Sequence, residues 1–198
     1  MPEPTPAQPA PNTPAEQWLA RGAALAPEEL ASIEDAVREC LGLADDVVLN
    51  EEHFAAVIML NLASDPITDA GMAWMASADS PLAALNDLEL DNTQITDKGL
   101  AYVAAKDSSL TALTTLDLWD SQITDKGLAF LAAKDSSLTA LSVVVLNGTQ
   151  VTDQGLAYLA AKDSSLNALT RLDLKGTQVT DAGIAALKQR FPNITVYN

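Results

Sequence analysis

Apolar residues along most of this chain follow a pattern that changes period inside a repeating unit of 28 residues. In Leu85-x-x-Leu88-x-Leu90 alternate side chains share a face, the signature of a short strand. A polar step through Thr93 and Ile95 leads to Thr96-Asp97-Lys98-Gly99, after which Leu100, Val103 and Ala104 fall at helical spacing. Thr96 suits an N-cap, Asp97 the positive helix end and Lys106 the negative one, so the predicted helix runs through about Lys106. Gly99 predicts a helix start lying close to the strand. Ile67, Ile95, Ile123, Val151 and Val179 keep the 28-residue step, as do Gly71, Gly99, Gly127, Gly155 and Gly183, and Val57, Leu85, Leu113, Leu141 and Leu169. AAKDSS occurs three times, from Ala104, Ala132 and Ala160. Such a period marks a solenoid whose units bury their apolar faces on one another. Its α/β units place parallel strands on a concave side and helices on the convex side.

The chain upstream reads differently. Pro27-Glu28-Glu29 opens a helix on which Leu30, Ile33, Ala36, Val37, Cys40 and Leu41 share a face, and Gly42 offers the stop. Cys40 reads as a small core residue. The apolar run Val47-Val48-Leu49 precedes Asn50-Glu51-Glu52, which starts a short helix holding His53 at its surface or boundary. Six of the ten prolines lie in the first 14 residues, which predict an extended, polyproline-like linker. That linker is either a stalk following a removed export or lipid signal, giving an exported or surface-anchored protein, or a disordered start on a cytoplasmic one. The organisation predicted is therefore a linker over 1–14, a helical cap over 15–56 and a solenoid over 57–198, with five units and a short final strand in Phe191–Val196.

The unit LxxLxLxx(T/S)x(I/V)TDxGLAxL resembles the leucine-rich repeat, in the 28-residue ribonuclease-inhibitor-like type common in bacterial proteins. Asp65, Thr93, Ser121, Thr149 and Thr177 stand where the usual asparagine ladder runs, and hydroxyls there can still bond the turn backbone. The stretch from Ala24 to Leu62 is similar to the helical N-terminal cap of internalin-like proteins. The resemblance covers roughly 27–198. It implies a right-handed β-α superhelix that binds a protein or peptide on its concave face, without catalysis.

Composition narrows the functions. Twenty-seven acidic residues against 11 basic ones give a net charge of −16, which argues against nucleic acid and against an anionic membrane surface. One cysteine excludes an internal disulfide, and one histidine excludes a multi-histidine metal site. No cofactor, resident metal or catalytic residue is expected, and no apolar run approaches the ~20 residues that span a bilayer. The surplus is polarised: residues 1–97 hold 18 acids and two bases, residues 98–198 nine of each.

Outward strand positions carry the information about binding. Asp87, Glu89 and Asp91 form an acidic end, and Trp119 with Val143 and Val145 forms an apolar centre flanked by Asp117 and Asp120. Arg171, Asp173 and Lys175 lie at the far end. Exposed apolar groups rimmed by charge make a binding patch, with tryptophan its anchor; alternatively Trp119 folds over its neighbours and shields the sheet. Two further readings of the protein are a spacer or scaffold domain in a larger exported or surface protein, and Ca²⁺-assisted binding by the acids. A glycosidase-like carboxylate pair has no lid or pocket signal to support it. On the convex side Trp74, Tyr102, Phe130 and Tyr158 form one helix column, about 200° round from the inward residues. That column either mediates self-association of an otherwise monomeric protein or is covered by the following KDSSLTAL loop. The aspartates Asp69, Asp97, Asp125, Asp153 and Asp181 read as helix starts, and the Lys106/Asp107, Lys134/Asp135 and Lys162/Asp163 pairs as solvated convex charges.

Overall fold

Six three-residue strands pair in parallel and in chain order: β1 (Met59–Asn61), β2 (Asp87–Glu89), β3 (Thr115–Asp117), β4 (Val143–Val145), β5 (Arg171–Asp173) and β6 (Thr195–Tyr197). The computed structural model describes residues 14–22 and 24–198; apart from Pro14, the proline-rich stretch lies outside the described residues. Within the repeats the register advances by one unit, so that Met59, Asp87, Thr115, Val143 and Arg171 form one row. The middle residues Leu60, Leu88, Leu116, Val144 and Leu172 are fully buried, while their neighbours face the concave side. Helices α4 (Asp69–Met75), α5 (Asp97–Val103), α6 (Asp125–Leu131), α7 (Asp153–Leu159) and α8 (Asp181–Arg190) stack side by side on the convex side. Among the described residues no helix is long and apolar enough to cross a membrane.

Helices α5, α6 and α7 stop about one turn earlier than Lys106 and its equivalents predict. The chain leaves each helix to reach the unit before it. Ser109 N donates to Ala76 O (3.3 Å) and its hydroxyl to Met75 O (3.4 Å), and Ser137 and Ser165 repeat both contacts one and two units later. The C-terminal carbonyls of one helix are thus satisfied by the next unit.

A second ladder joins the helix starts. The Oδ1 of Asp69 accepts from Thr96 N and Gly99 N, both at 2.9 Å, and its Oδ2 accepts from Thr96 Oγ1 at 2.7 Å. Asp97, Asp125 and Asp153 bond Thr124, Thr152 and Thr180 of the following units in the same way. These aspartates do more than favour their own helix starts. They also explain the glycine column: a Cβ on Gly99 would lie 2.7 Å from the Asp69 carboxylate, so the close approach is to the preceding unit as well as to Ile95. The threonine caps form as predicted, with Thr96 Oγ1 accepting from Lys98 N. The hydroxyl column also forms: Thr93, Ser121 and Thr149 each donate to the carbonyl three residues back at 2.6 Å. Asp65 departs from it and accepts from Ser32 Oγ instead.

At the N-terminal end α1 (Pro14–Gly22), α2 (Pro27–Leu41) and α3 (Glu51–Ala55) cover the first unit. Glu29, read from sequence as a first-turn acid, is buried and acts as the first rung of the carboxylate ladder. It accepts from Thr68 N (2.7 Å), Thr68 Oγ1 (3.0 Å) and Gly71 N (3.0 Å). Gly42 ends α2 in the left-handed conformation as expected. His53 closes a capping box with Asn50.

The aromatic column needs a correction. Trp74 is 6% exposed, because Trp18 of α1 stacks on it with ring centroids 3.9 Å apart. Each indole N–H donates to the other residue's carbonyl, at 2.7 and 2.9 Å, and Phe54 meets both rings edge-on. Trp74 is therefore unavailable for self-association, and a cap helix covers it rather than the loop that follows. Tyr102 and Tyr158 remain exposed, and Phe130 is half-buried with Lys126 beside its ring.

Candidate functional site: the concave face

The concave surface is built from the outward residues of β1 to β5 and from the turn after each strand. At the turn, Ser64, Asn92, Asp120, Gly148 and Gly176 all adopt positive φ, between 53° and 77°. Asn, Asp and Gly tolerate this left-handed conformation, and their recurrence at the 28-residue step was a readable sign of it. Asp120 thus holds a backbone position as well as presenting a charge. Its carboxylate occupies the space that a Cβ on Gly148 would need.

Trp119 precedes that turn and is 52% exposed. Its backbone N–H is held by Asp117 Oδ1 at 2.9 Å, which fixes where the indole leaves the sheet. The ring edge lies over the neighbouring Gly148, where a Cβ would sit 3.6 Å from Cδ1. Val143 and Val145 stand one strand over, in register with Thr115 and Asp117, and both are half-buried. The structure therefore brings the three apolar residues onto adjoining strands beside Asp117 and Asp120.

Asp87, Glu89 and Asp91 are half-buried at the acidic end. Burial raises the Asp87 carboxyl above its usual range. Glu89 is raised by burial first, then by the charges of Asp87, Asp117 and Asp91. Burial also raises Asp117, against the hydrogen bond from Trp119 N that lowers it; Asp91, Asp173 and Asp87 add to the rise. None of these four carboxylates forms an ion pair among the described residues.

The far end differs from its sequence reading. Arg171 binds Asp173 through Nε at 2.9 Å and Nη2 at 2.6 Å, and its guanidinium lies 5.0 Å from the Tyr197 ring centroid. Asp173 is 7% exposed beneath it and offers nothing to a ligand. The two charges cancel, and among the described residues Lys175 is the concave-face cation of that end without an ion-pair partner. Both side chains sit on one strand face two residues apart, so the pairing was available to sequence reasoning. Among the described residues no three carboxylate, imidazole or thiol groups converge to hold a metal ion.

A leucine-rich-repeat family model matches residues 109–132 and 166–188. Internalin C2 of Listeria monocytogenes is similar in structure, with a TM-score of 0.52 at 24% identity over 84% of this chain and 72% of that one. An internalin F of the same organism gives 0.52 at 24% identity over 80% of this chain, which spans about half of its length (47%). No curated protein matches the chain. Its units, their parallel sheet and these likenesses agree: the chain carries leucine-rich repeats, matched by the family model in two stretches, and has the solenoid fold of the internalins.

Proposed function

We propose that this protein is a non-enzymatic binding module that takes a protein or peptide along the concave face of β2 to β5, with Trp119 as the anchor. The observation that carries the reading is the exposure of Trp119 beside Val143 and Val145. Half of the Trp119 surface stands in water, so the indole offers apolar area to a partner. An exposed aromatic beside apolar groups and inside a charged rim has the make-up of an interface hot spot. Leucine-rich repeats generally serve as protein-binding modules, and the curvature of a solenoid supplies the surface. The open sheet encloses no substrate, which favours binding over catalysis.

The test is selection of displayed peptides on the wild-type protein, followed by titration of the recovered sequences against Trp119→Ala. Loss of a hot-spot tryptophan costs about 2 kcal/mol or more, roughly 30-fold in affinity. The melting temperature should shift by no more than about 2 °C, because an exposed ring contributes little to folding. Equal affinity of the variant for every recovered peptide would overturn the reading.

A further inference from the structure

The N-terminal end of the concave face is walled. Helix α2 packs along β1, and between them lies a cavity of about 300 Å³ lined by Ala36, Glu39 and Cys40 of the helix and Met59 and Asn61 of the strand. That volume is enough for one long side chain. Ala36, Cys40 and Met59 supply apolar and polarisable surface, and Met59 is 44% exposed at the mouth. Asn61 Oδ1 accepts from Ala63 N, and Glu39 supplies the charge of the lining. Glu39 has no cation of its own: its neighbour Arg38 turns away to Glu34, Asp35 and Val47 O.

The strand that lines the cavity adjoins the acid column. Met59 and Asn61 pair in register with Asp87 and Glu89, which place two further carboxylates on the adjoining strand. Asp87 Oδ1 is itself buried with no hydrogen-bond donor among the described residues. Among the described residues no Lys or Arg forms an ion pair with Glu39, Asp87, Glu89, Asp91 or Asp117. An apolar slot edged by unpaired carboxylates fits an aliphatic stem that ends in a positive charge. A leucine or phenylalanine in the slot would leave Glu39 without a counter-charge, and an acidic side chain would add repulsion.

We propose that this cavity is a specificity pocket for a lysine or arginine side chain, and that the segment bound on the concave face is basic where it crosses β1 and β2. The inference rests on the concave-face reading and gives it a polarity: a cation enters beside α2, and an apolar residue follows at Trp119. The acid surplus in the first half of the chain acts in the same direction, steering a basic segment toward this end.

Cys40, the sole cysteine, lines the pocket and reports its occupancy. The probe is an eight-residue glycine-serine peptide carrying two arginines and one leucine, compared with its uncharged citrulline counterpart. Binding is read by fluorescence anisotropy, and Cys40 by its rate of reaction with a chromogenic disulfide. The arginine peptide should slow the thiol reaction about threefold or more at saturation, and the citrulline peptide should not. Glu39→Gln should weaken the arginine peptide about fivefold, while Asp107→Asn, the same charge change on the convex side, should alter it less than about twofold. Glu39 and Asp107 are both exposed, so neither variant should alter the melting temperature. No binding at millimolar peptide, an unprotected Cys40, or equal effects of the two substitutions would each overturn the pocket. Equal affinity in Trp119→Ala with a loss in Glu39→Gln would sink the concave-face reading and leave the pocket standing. A loss in Trp119→Ala with none in Glu39→Gln would do the reverse.

Discussion

Replacing Asp69 by alanine separates the two roles that a carboxylate at a helix start can play. Its own helix loses a favourable charge at the N-terminus, about 0.3–1 kcal/mol. The next unit loses more. Thr96 N donates to Asp69 Oδ1 alone, so it is left half-buried without an acceptor, at about 1–3 kcal/mol. Gly99 N keeps a bond to Thr96 O at 3.0 Å, and the Thr96 hydroxyl still accepts from Lys98 N, so neither adds a full penalty. The expected total is about 2–3 kcal/mol, or about 5–10 °C in Tm for a chain of this size. Asp181 supplies the comparison. It occupies the same place in its unit, yet makes no cross-unit bond among the described residues, so Asp181→Ala should cost less than about 1 kcal/mol. Urea denaturation followed by circular dichroism measures both. Equal losses for the two variants would refute the ladder and return these aspartates to helix starts alone.

Other substitutions test other parts of the account. Gly148→Ala places a Cβ against the Asp120 carboxylate at a positive φ and should cost about 1–2 kcal/mol in urea, whereas Ser64→Gly should gain about 0.5–1 kcal/mol. Trp18→Ala should cost about 3–5 kcal/mol by emptying the stack over Trp74, and should increase iodide quenching of tryptophan fluorescence; no change in either would detach α1 from the first unit. Glu89→Gln should raise the urea midpoint at neutral pH. The Glu89 carboxyl is raised in the folded state, so its ionised form opposes folding above that pKa, and the penalty disappears as pH falls toward its unfolded value. The midpoints of wild type and variant should therefore converge near pH 4.

The repeating fold was legible because its cause is local and recurs. Alternation in Leu88-x-Leu90, threonine before aspartate, and a hydroxyl three residues after a strand carbonyl each recur one unit later, and the structure forms all of them. What stayed hidden lies between units. Asp69 at a helix start satisfies a one-helix rule, so nothing in its own unit signals that it also holds the next. The serine of KDSS reads as a polar loop residue until the preceding helix supplies the carbonyls it bonds. Trp74 looked solvent-facing because the residue that covers it, Trp18, stands 56 positions away outside the repeat. The binding face divides along the same line. Exposure of Trp119 follows from strand alternation, whereas the α2–β1 cavity arises where a non-repeating helix meets the first strand, and no period reports it.

The concave face is the proposed binding surface. Backbone amide chemical-shift mapping with a peptide selected on the wild-type protein addresses it most directly. The shifted amides should cluster on β2 to β5 and their following turns, from Asp87 to Lys175, with the largest change at Trp119. Shifts concentrated on α5 to α7 around Tyr102, Phe130 and Tyr158 would contradict it and move the binding surface to the convex side.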